Sequence, residues 1–250
     1  MKKKRLRVVS YNIHRGLSPF SLRDVACHIK ALLTSSKADI CCLQEDVSEG
    51  LFNQSDLVKT CQDVWHHSVF SQTIRVQGSR QGNTIATRFP IAFSEAFKIS
   101  GSLPGEPRRL LICELDLGGP IPLLVACTHF GLSRGHRMQN LNRLLAVLAR
   151  YDRTRPMILA GDFNDWPCEL SVKLRRELGL YDAYYSLNGS MALTFPVFFP
   201  CLALDRIYAR GLDAYKAFVV KDRYWHKRSD HLPIVADFDL QAILGRENLR

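Results

Sequence analysis

The sequence predicts an α+β protein of stacked β-sheets covered by helices, and three observations carry that prediction. Eight short runs are apolar, or alternate apolar with polar residues, at strand length. A few stretches with helical spacing are interspersed among these runs, without the strict alternation of a parallel α/β sheet. The 250 residues are 46% hydrophobic and 23% charged, with no repeat, low-complexity segment or Gly/Ser/Pro linker to divide them. One domain spanning residues 1–250, with a sizeable core, is therefore expected.

The predicted strands are Arg7–Tyr11, Asp39–Gln44, Thr84–Arg88, Leu110–Asp116, Leu123–Thr128, Met157–Ala160, Leu202–Tyr208 and Leu232–Asp239. Helical spacing appears in Ser21–Leu33, where Leu22, Val25, Ile29 and Leu32 share a face. Ser133 can cap a second helix running to about Tyr151, with Met138, Leu141, Leu144, Leu145 and Leu148 on one side. Leu170–Leu178 can form a third.

Several classes are excluded by composition. No apolar run is long enough to cross a bilayer. The basic start, Met1–Arg7, is followed at once by Ser10, Tyr11, Asn12 and His14, so it does not read as a secretory signal. A cytosolic protein is expected, touching at most the inner face of a membrane. Eight cysteines lack CxxC spacing, and Cys41, Cys42, Cys113 and Cys127 sit in apolar runs, as buried thiols do. Cys27, Cys61, Cys168 and Cys201 complete the set. The sequons at Asn53 and Asn188 carry no meaning in a protein that is not exported. A formal net charge of +10 favours anionic partners or a solvated basic surface.

The informative pattern lies at the ends of the apolar runs. Asn12 closes the first strand, Glu45 the second and His129 the fifth, while Asp162 and Asn164 follow the sixth. Asp230 and His231 precede the last. Taken singly, Asn12 reads as a turn residue, Glu45-Asp46 as a solvated pair and His129 equally well as a core histidine. Their recurrence points to a site built at strand ends, where loop residues are held rigidly. Asn, Asp and Glu are hard oxygen donors that suit Mg²⁺ or Mn²⁺, and neighbouring imidazoles suit phosphate chemistry. Asp205 falls inside an apolar run and needs a partner other than its neighbour Arg206, because alternation sends the two to opposite faces. His231 is the natural candidate.

Seven stretches, in order, resemble the endonuclease/exonuclease/phosphatase superfamily, which includes DNase I-like nucleases, inositol-polyphosphate 5-phosphatases and neutral sphingomyelinases. They are Ser10–Ile13, Leu43–Glu45, Gly82–Ile91, Cys127–Leu132, Ala160–Asp165, Leu204–Tyr208 and Ser229–Pro233. The resemblance extends over nearly the whole chain and is nearest to a compact bacterial subgroup. It implies a four-layer α/β/β/α sandwich of two mixed β-sheets. It also implies that Glu45 is the main Mg²⁺ ligand, with Asn12 and Asp230 beside it. Asp162 would position or deprotonate the attacking water, and Asn164 would contact the phosphate. His231, oriented by Asp205, would stabilise the pentacovalent phosphorane or act as base, with His129 on the scissile phosphate. Asp46, where the family has an apolar or small residue, adds negative charge near the metal; Thr87 stands where Ser is usual.

Further substrate contacts are less specified. Asn83 lies in the third stretch, and Arg109 resembles an arginine that several relatives place near the phosphate. Arg134, His136 and Arg137 flank a predicted helix N-terminus that can bind a second phosphate or carry ordinary surface charge. The aromatic Thr194–Pro200 segment can stack bases, dock acyl chains or pack as core; its two bracketing prolines suit a rigid wall. Phospholipid or a small phosphodiester is the slightly favoured substrate, acted on by a monomer. A DNA or RNA nuclease is the alternative, supported by the basic groups Arg150/Arg153/Arg155, Lys173/Arg175/Arg176 and Arg223/Lys227/Arg228. A non-catalytic anion-binding module is a third.

Overall fold

Two strands near the start of the chain, β1 (Arg5–Asn12) and β2 (Ile40–Ser48), are buried on both faces, and this organises the molecule. Leu6 and Val8 face one apolar cluster, while Val9 and Tyr11 face another, as the period of two requires. The computed structural model describes residues 5–18, 25–48, 62–76, 78–221 and 228–244. Met1–Lys4, the Ser21–Asp24 start of the first predicted helix, Asn53, Cys61, Arg223 and Lys227 lie outside them.

The remaining strands are β3 (His67–Val76), β4 (Ser79–Thr87), β5 (Ile91–Lys98), β6 (Arg109–Leu115), β7 (Leu123–His129), β8 (Met157–Asp162), β9 (Tyr181–Asp182), β10 (Asp205–Arg210), β11 (Asp213–Val219) and β12 (Ile234–Asp239). They form two six-stranded mixed sheets, β11-β12-β1-β2-β4-β3 and β5-β6-β7-β8-β10-β9. Parallel pairing joins β1 to β2 and β7 to β8; the other neighbours are antiparallel.

The sheets meet face to face through one cluster, in which Val8, Ile40, Cys42 and Ile85 oppose Leu111, Val125, Cys127 and Ile158. Helix α1 (Ala26–Ser35) covers the outside of the first sheet through Ile29 and Leu33. Helices α2 (Arg134–Leu148) and α3 (Leu170–Leu178) cover the second through Leu141, Leu144, Leu170 and Leu174. Short helices α4 (Ala183–Asn188) and α5 (Gln241–Leu244) were not anticipated by the sequence pattern. The four layers of the expected sandwich are thus present. Cys41, Cys42, Cys113 and Cys127 are buried thiols. No helix among the described residues is long and apolar enough to span a membrane.

Topology determines which chain ends meet. The parallel strands β1, β2, β7 and β8 present their C-terminal ends at one end of the sandwich. Antiparallel β10 and β12 present their N-terminal beginnings there, with Asp205 opposite Asp162 and Ser10 opposite Ile234. Asp205 is accordingly the first residue of β10 rather than an interior one; Leu202, expected in that strand, forms an isolated bridge with Phe195.

Gly161, one residue before Asp162, is fixed by this packing. Its φ is +154°, and a Cβ there would lie 2.0 Å from the Thr128 carbonyl oxygen. Because that oxygen belongs to a paired strand, it cannot yield cheaply. Gly161→Ala is expected to destabilise the fold by about 2–4 kcal/mol in urea unfolding.

Candidate active site

Asp162 is the hub of the site at this end. It is 1% exposed, and its Oδ2 is 3.1 Å from Asn12 Nδ2, 3.4 Å from His129 Nε2 and 3.7 Å from His231 Nε2. Its other oxygen accepts the Asn164 backbone N–H at 2.9 Å. The Asn164 carboxamide donates to the Phe130 carbonyl at 2.9 Å, which locks the loop after β8 against the loop after β7.

Glu45 is turned into the cleft by a bulge. The β2–β4 register shifts between Leu43 and Asp46, and Glu45 has φ +56°, a left-handed conformation uncommon for a residue of this type. Asn164 also sits at positive φ, +49°. His14 and Arg15 share this conformation, at φ +45° and +60°, and four such residues at one site are strain that surrounding structure must hold. Asn12 Nδ2 lies 3.5 Å from Glu45 Oε1, and Arg15 Nε lies 3.8 Å from Glu45 Oε2. Across the cleft, Ser229 Oγ donates to the Asn12 carbonyl at 2.7 Å, tying the Asp230 loop to β1. Asp230 Oδ1 is 3.6 Å from His14 Nδ1.

The donor set suits a hard divalent cation. Glu45, Asp230 and Asp162 bring carboxylates to the cleft floor, with the Asn12 carboxamide beside them. Burial pushes the Glu45 carboxyl above its ordinary range; His14 and Arg15 oppose this, and Asp230 and Asp162 reinforce it. A carboxyl pushed up by burial and by neighbouring carboxylates is stabilised in its charged form by a cation among them. A second grouping, Asp162, Asp205 and His231, also has ligand atoms within 4.8 Å of one another. There, however, Asp205 Oδ2 already accepts the His231 ring N–H at 2.8 Å and the Thr194 hydroxyl at 2.6 Å.

The two histidines differ in charge. Burial, aided by Arg108 and His231 and opposed by Asp162, pushes the His129 imidazole down to about 3, so it is neutral near pH 7. Burial also acts to lower His231, but the charge and hydrogen bond of Asp205 outweigh it, and Asp162 and Asp230 add to the effect. His231 is raised to about 10. One imidazole is therefore a neutral hydrogen-bonding group and the other a cation, 8% and 6% exposed in their side chains.

Among the weaker candidates, His136 alone lines the cleft, which has a volume of about 640 Å³. Its Nε2 is 2.8 Å from the Pro104 carbonyl and its Nδ1 is 2.9 Å from Ser133 Oγ. Arg109 does not line the cleft; its neighbour Arg108 does, because adjacent residues entering β6 point to opposite sides. Asn83 is buried and donates to the Arg109 carbonyl at 3.1 Å. Arg134 pairs with Glu169 at 2.9 Å. Arg137 is 1% exposed, donates to the Leu132 carbonyl and lies 4.4 Å beneath the Trp166 ring. Neither arginine lines the cleft: Arg134 pairs through its Nε with Glu169 and stays 70% exposed outside the lining, and Arg137 is covered by Trp166. Asp46 likewise turns away from the cleft, accepting the Thr84 hydroxyl and the Val47 N–H.

His14, Arg15, Arg108, Thr194 and Trp166 also contribute to the site, and the sequence did not single them out. His14 and Arg15 follow Asn12 directly, so their proximity was a usable signal. Thr194, which fixes Asp205, and Trp166, which walls the cleft, gave no pattern of their own. The aromatic segment does supply a wall, with the Phe195 ring 4.9 Å from that of His231.

Comparison with known proteins identifies the family and the fold. The sequence model of the Endonuclease/Exonuclease/phosphatase family matches residues 9–231. YbhP of Escherichia coli (strain K12), an uncharacterized protein, is 29% identical over 245 residues, 94% of this chain and 96% of that one. An endonuclease/exonuclease/phosphatase from Bacteroides vulgatus has the same fold, with TM-score 0.78, 17% identity and coverage of 95% and 99% of the two chains. Truncated TDP2 from Caenorhabditis elegans superposes with TM-score 0.67 at 21% identity, covering 94% and 98%. With the fold and the sequence match in agreement, this chain belongs to the endonuclease/exonuclease/phosphatase family of metal-dependent phosphodiester hydrolases.

Proposed function

We propose that this protein is a Mg²⁺-dependent phosphodiesterase for a lipid-type or small phosphodiester, working as a monomeric single domain, with Mn²⁺ able to substitute. Glu45, Asp230 and Asn12 would hold the ion, which when bound offsets charge on phosphoryl oxygens and lowers the pKa of coordinated water. Asp162, with Asn12, His129 and His231 converging on one of its oxygens, orients the attacking water and accepts its proton. His231, held as a cation by Asp205, donates to the oxygen on which negative charge develops. Neutral His129 and Asn164 hold the phosphate.

The observation that carries the substrate preference is the wall of the cleft. Leu103, Leu132, Trp166, Phe195, Leu202 and Leu204 line it, whereas Arg108 is its one arginine and no lysine lines it among the described residues. A long polyanion is bound through many cationic contacts, and an apolar wall beside the scissile phosphate suits an acyl or other apolar group instead. Nucleic acid is the second reading, favoured by the net charge of +10 and by Trp166 as a stacking surface.

A panel of a soluble aryl phosphodiester, micellar phospholipid, inositol phosphates, DNA and RNA, each with Mg²⁺ and with EDTA, separates these readings. The aryl diester and phospholipid are expected to turn over only with Mg²⁺. Faster hydrolysis of DNA or RNA, with binding that collapses as salt rises, would replace the lipid reading by the nuclease one. Trp166→Ala is expected to raise KM for the micellar substrate about tenfold and to leave kcat within about twofold, because it removes binding area and touches no reacting group.

A further inference from the structure

Large apolar side chains of this protein are exposed around the mouth of the cleft, on four separate loops. Leu103 is 44% exposed, Leu132 65% and Trp166 47%, and each also lines the cleft. The fourth loop is a hairpin whose base is closed by backbone hydrogen bonds between Phe195 and Leu202, both cleft residues. At its tip Phe198 is 57% and Phe199 78% exposed. These side chains are presented by built supports. Arg137 lies beneath Trp166, Gln139 and His136 anchor the loop carrying Leu103, and the Val197 N–H donates to the Asp230 carbonyl at 2.8 Å.

We infer that this ring is a docking surface for an anionic phospholipid bilayer, with Phe198 and Phe199 entering its acyl region. Exposed apolar area of this kind marks a binding face. A protein partner seated on all four loops would close the cleft that they surround. A bilayer covers the same ring and supplies the substrate through it. The charge is complementary as well. The chain carries +10, and Arg15, 40% exposed, and Arg134, 70% exposed, flank the opening beside Glu45 and Leu132. The hairpin also couples docking to the site, since Phe198 directly follows the residue hydrogen-bonded to Asp230.

The inference rests on the lipid-type reading of the cleft, and flotation with vesicles tests it apart from that reading. The vesicles are phosphatidylcholine containing a quarter phosphatidylglycerol. The full chain is expected to float with them, and a Phe198→Ser/Phe199→Ser variant to lose about tenfold or more of that binding. The same variant is expected to hydrolyse a soluble aryl phosphodiester like wild type, which shows that it is folded. Phe93→Ser, at an exposed phenylalanine on β5, is the control and is expected to float normally. Failure of the wild type to float, or equal flotation of the double variant, would overturn the docking surface. Failure of the wild type to hydrolyse the aryl diester would instead sink the catalytic reading, whatever the flotation result.

Discussion

Glu45→Gln is expected to lower Mg²⁺-supported hydrolysis of an aryl phosphodiester by about three orders of magnitude, because a neutral carboxamide cannot replace the main anionic ligand. The substitution is nearly isosteric and keeps the bulged backbone at φ +56° unchanged in shape. It also removes a partly buried carboxylate that Asp230 and Asp162 repel. The metal-free variant is therefore expected to melt at the same temperature as wild type or higher, since functional carboxylate clusters are held against their own repulsion. Wild type should be stabilised by added Mg²⁺ through its preferential binding to the folded state, and the variant should lose most of that shift. Thermal melts with and without Mg²⁺, alongside turnover, check both halves. Full turnover in the variant would remove Glu45 from the metal site.

The second large effect is expected at Asp205. Asp205→Asn keeps the size of the side chain but removes the charge that holds His231 protonated, and turnover is expected to fall about a thousandfold, in keeping with other Asp–His pairs. Metal binding, followed by the Mg²⁺-dependent melting shift, is expected to be retained, because Asp205 does not line the cleft and its Oδ2 is committed to His231 and Thr194.

Stability should carry a signature of the same pair. The folded pKa of His231 is raised from 6.5 to about 10, against the pull of burial, by Asp205 first and by Asp162 and Asp230 after it. A raised pKa contributes stability that is complete below the unfolded value and is lost as pH rises through the folded one. In metal-free protein, the melting-temperature gap between wild type and Asp205→Asn is therefore expected to be widest below pH 6.5 and to narrow toward pH 10. A gap independent of pH would show that Asp205 does not set the charge of His231.

What the sequence determined by itself follows a physical rule. The eight strands it predicted are the eight interior strands of the two sheets, β12, β1, β2, β4, β6, β7, β8 and β10. Each is covered on both faces in the sandwich, and that burial demands the apolar runs by which strands are recognised. The four strands it did not predict, β3, β5, β9 and β11, are the four edges. An edge strand such as β5 leaves Phe93, Ser94 and Glu95 to solvent, and its pattern thins accordingly. The residues at the interior strand ends were legible for the same reason, and so was the need of Asp205 for a distant partner, which the 2.8 Å contact with His231 supplies.

Only the tertiary structure decided which polar side chains beyond those ends face the cleft. Arg108 faces it and Arg109 does not; Arg137 is buried beneath Trp166, and Arg134 lies outside the cleft lining with its Nε on Glu169 and its side chain largely exposed. Adjacent residues share composition and charge, so sequence cannot rank them; the direction of each side chain and its competing acceptors do. The convergence of Asn12, His129 and His231 on a single oxygen of Asp162 belongs to the same class. It brings together residues that lie up to 219 positions apart (231 − 12), and it exists only because antiparallel β12 begins where parallel β1 ends.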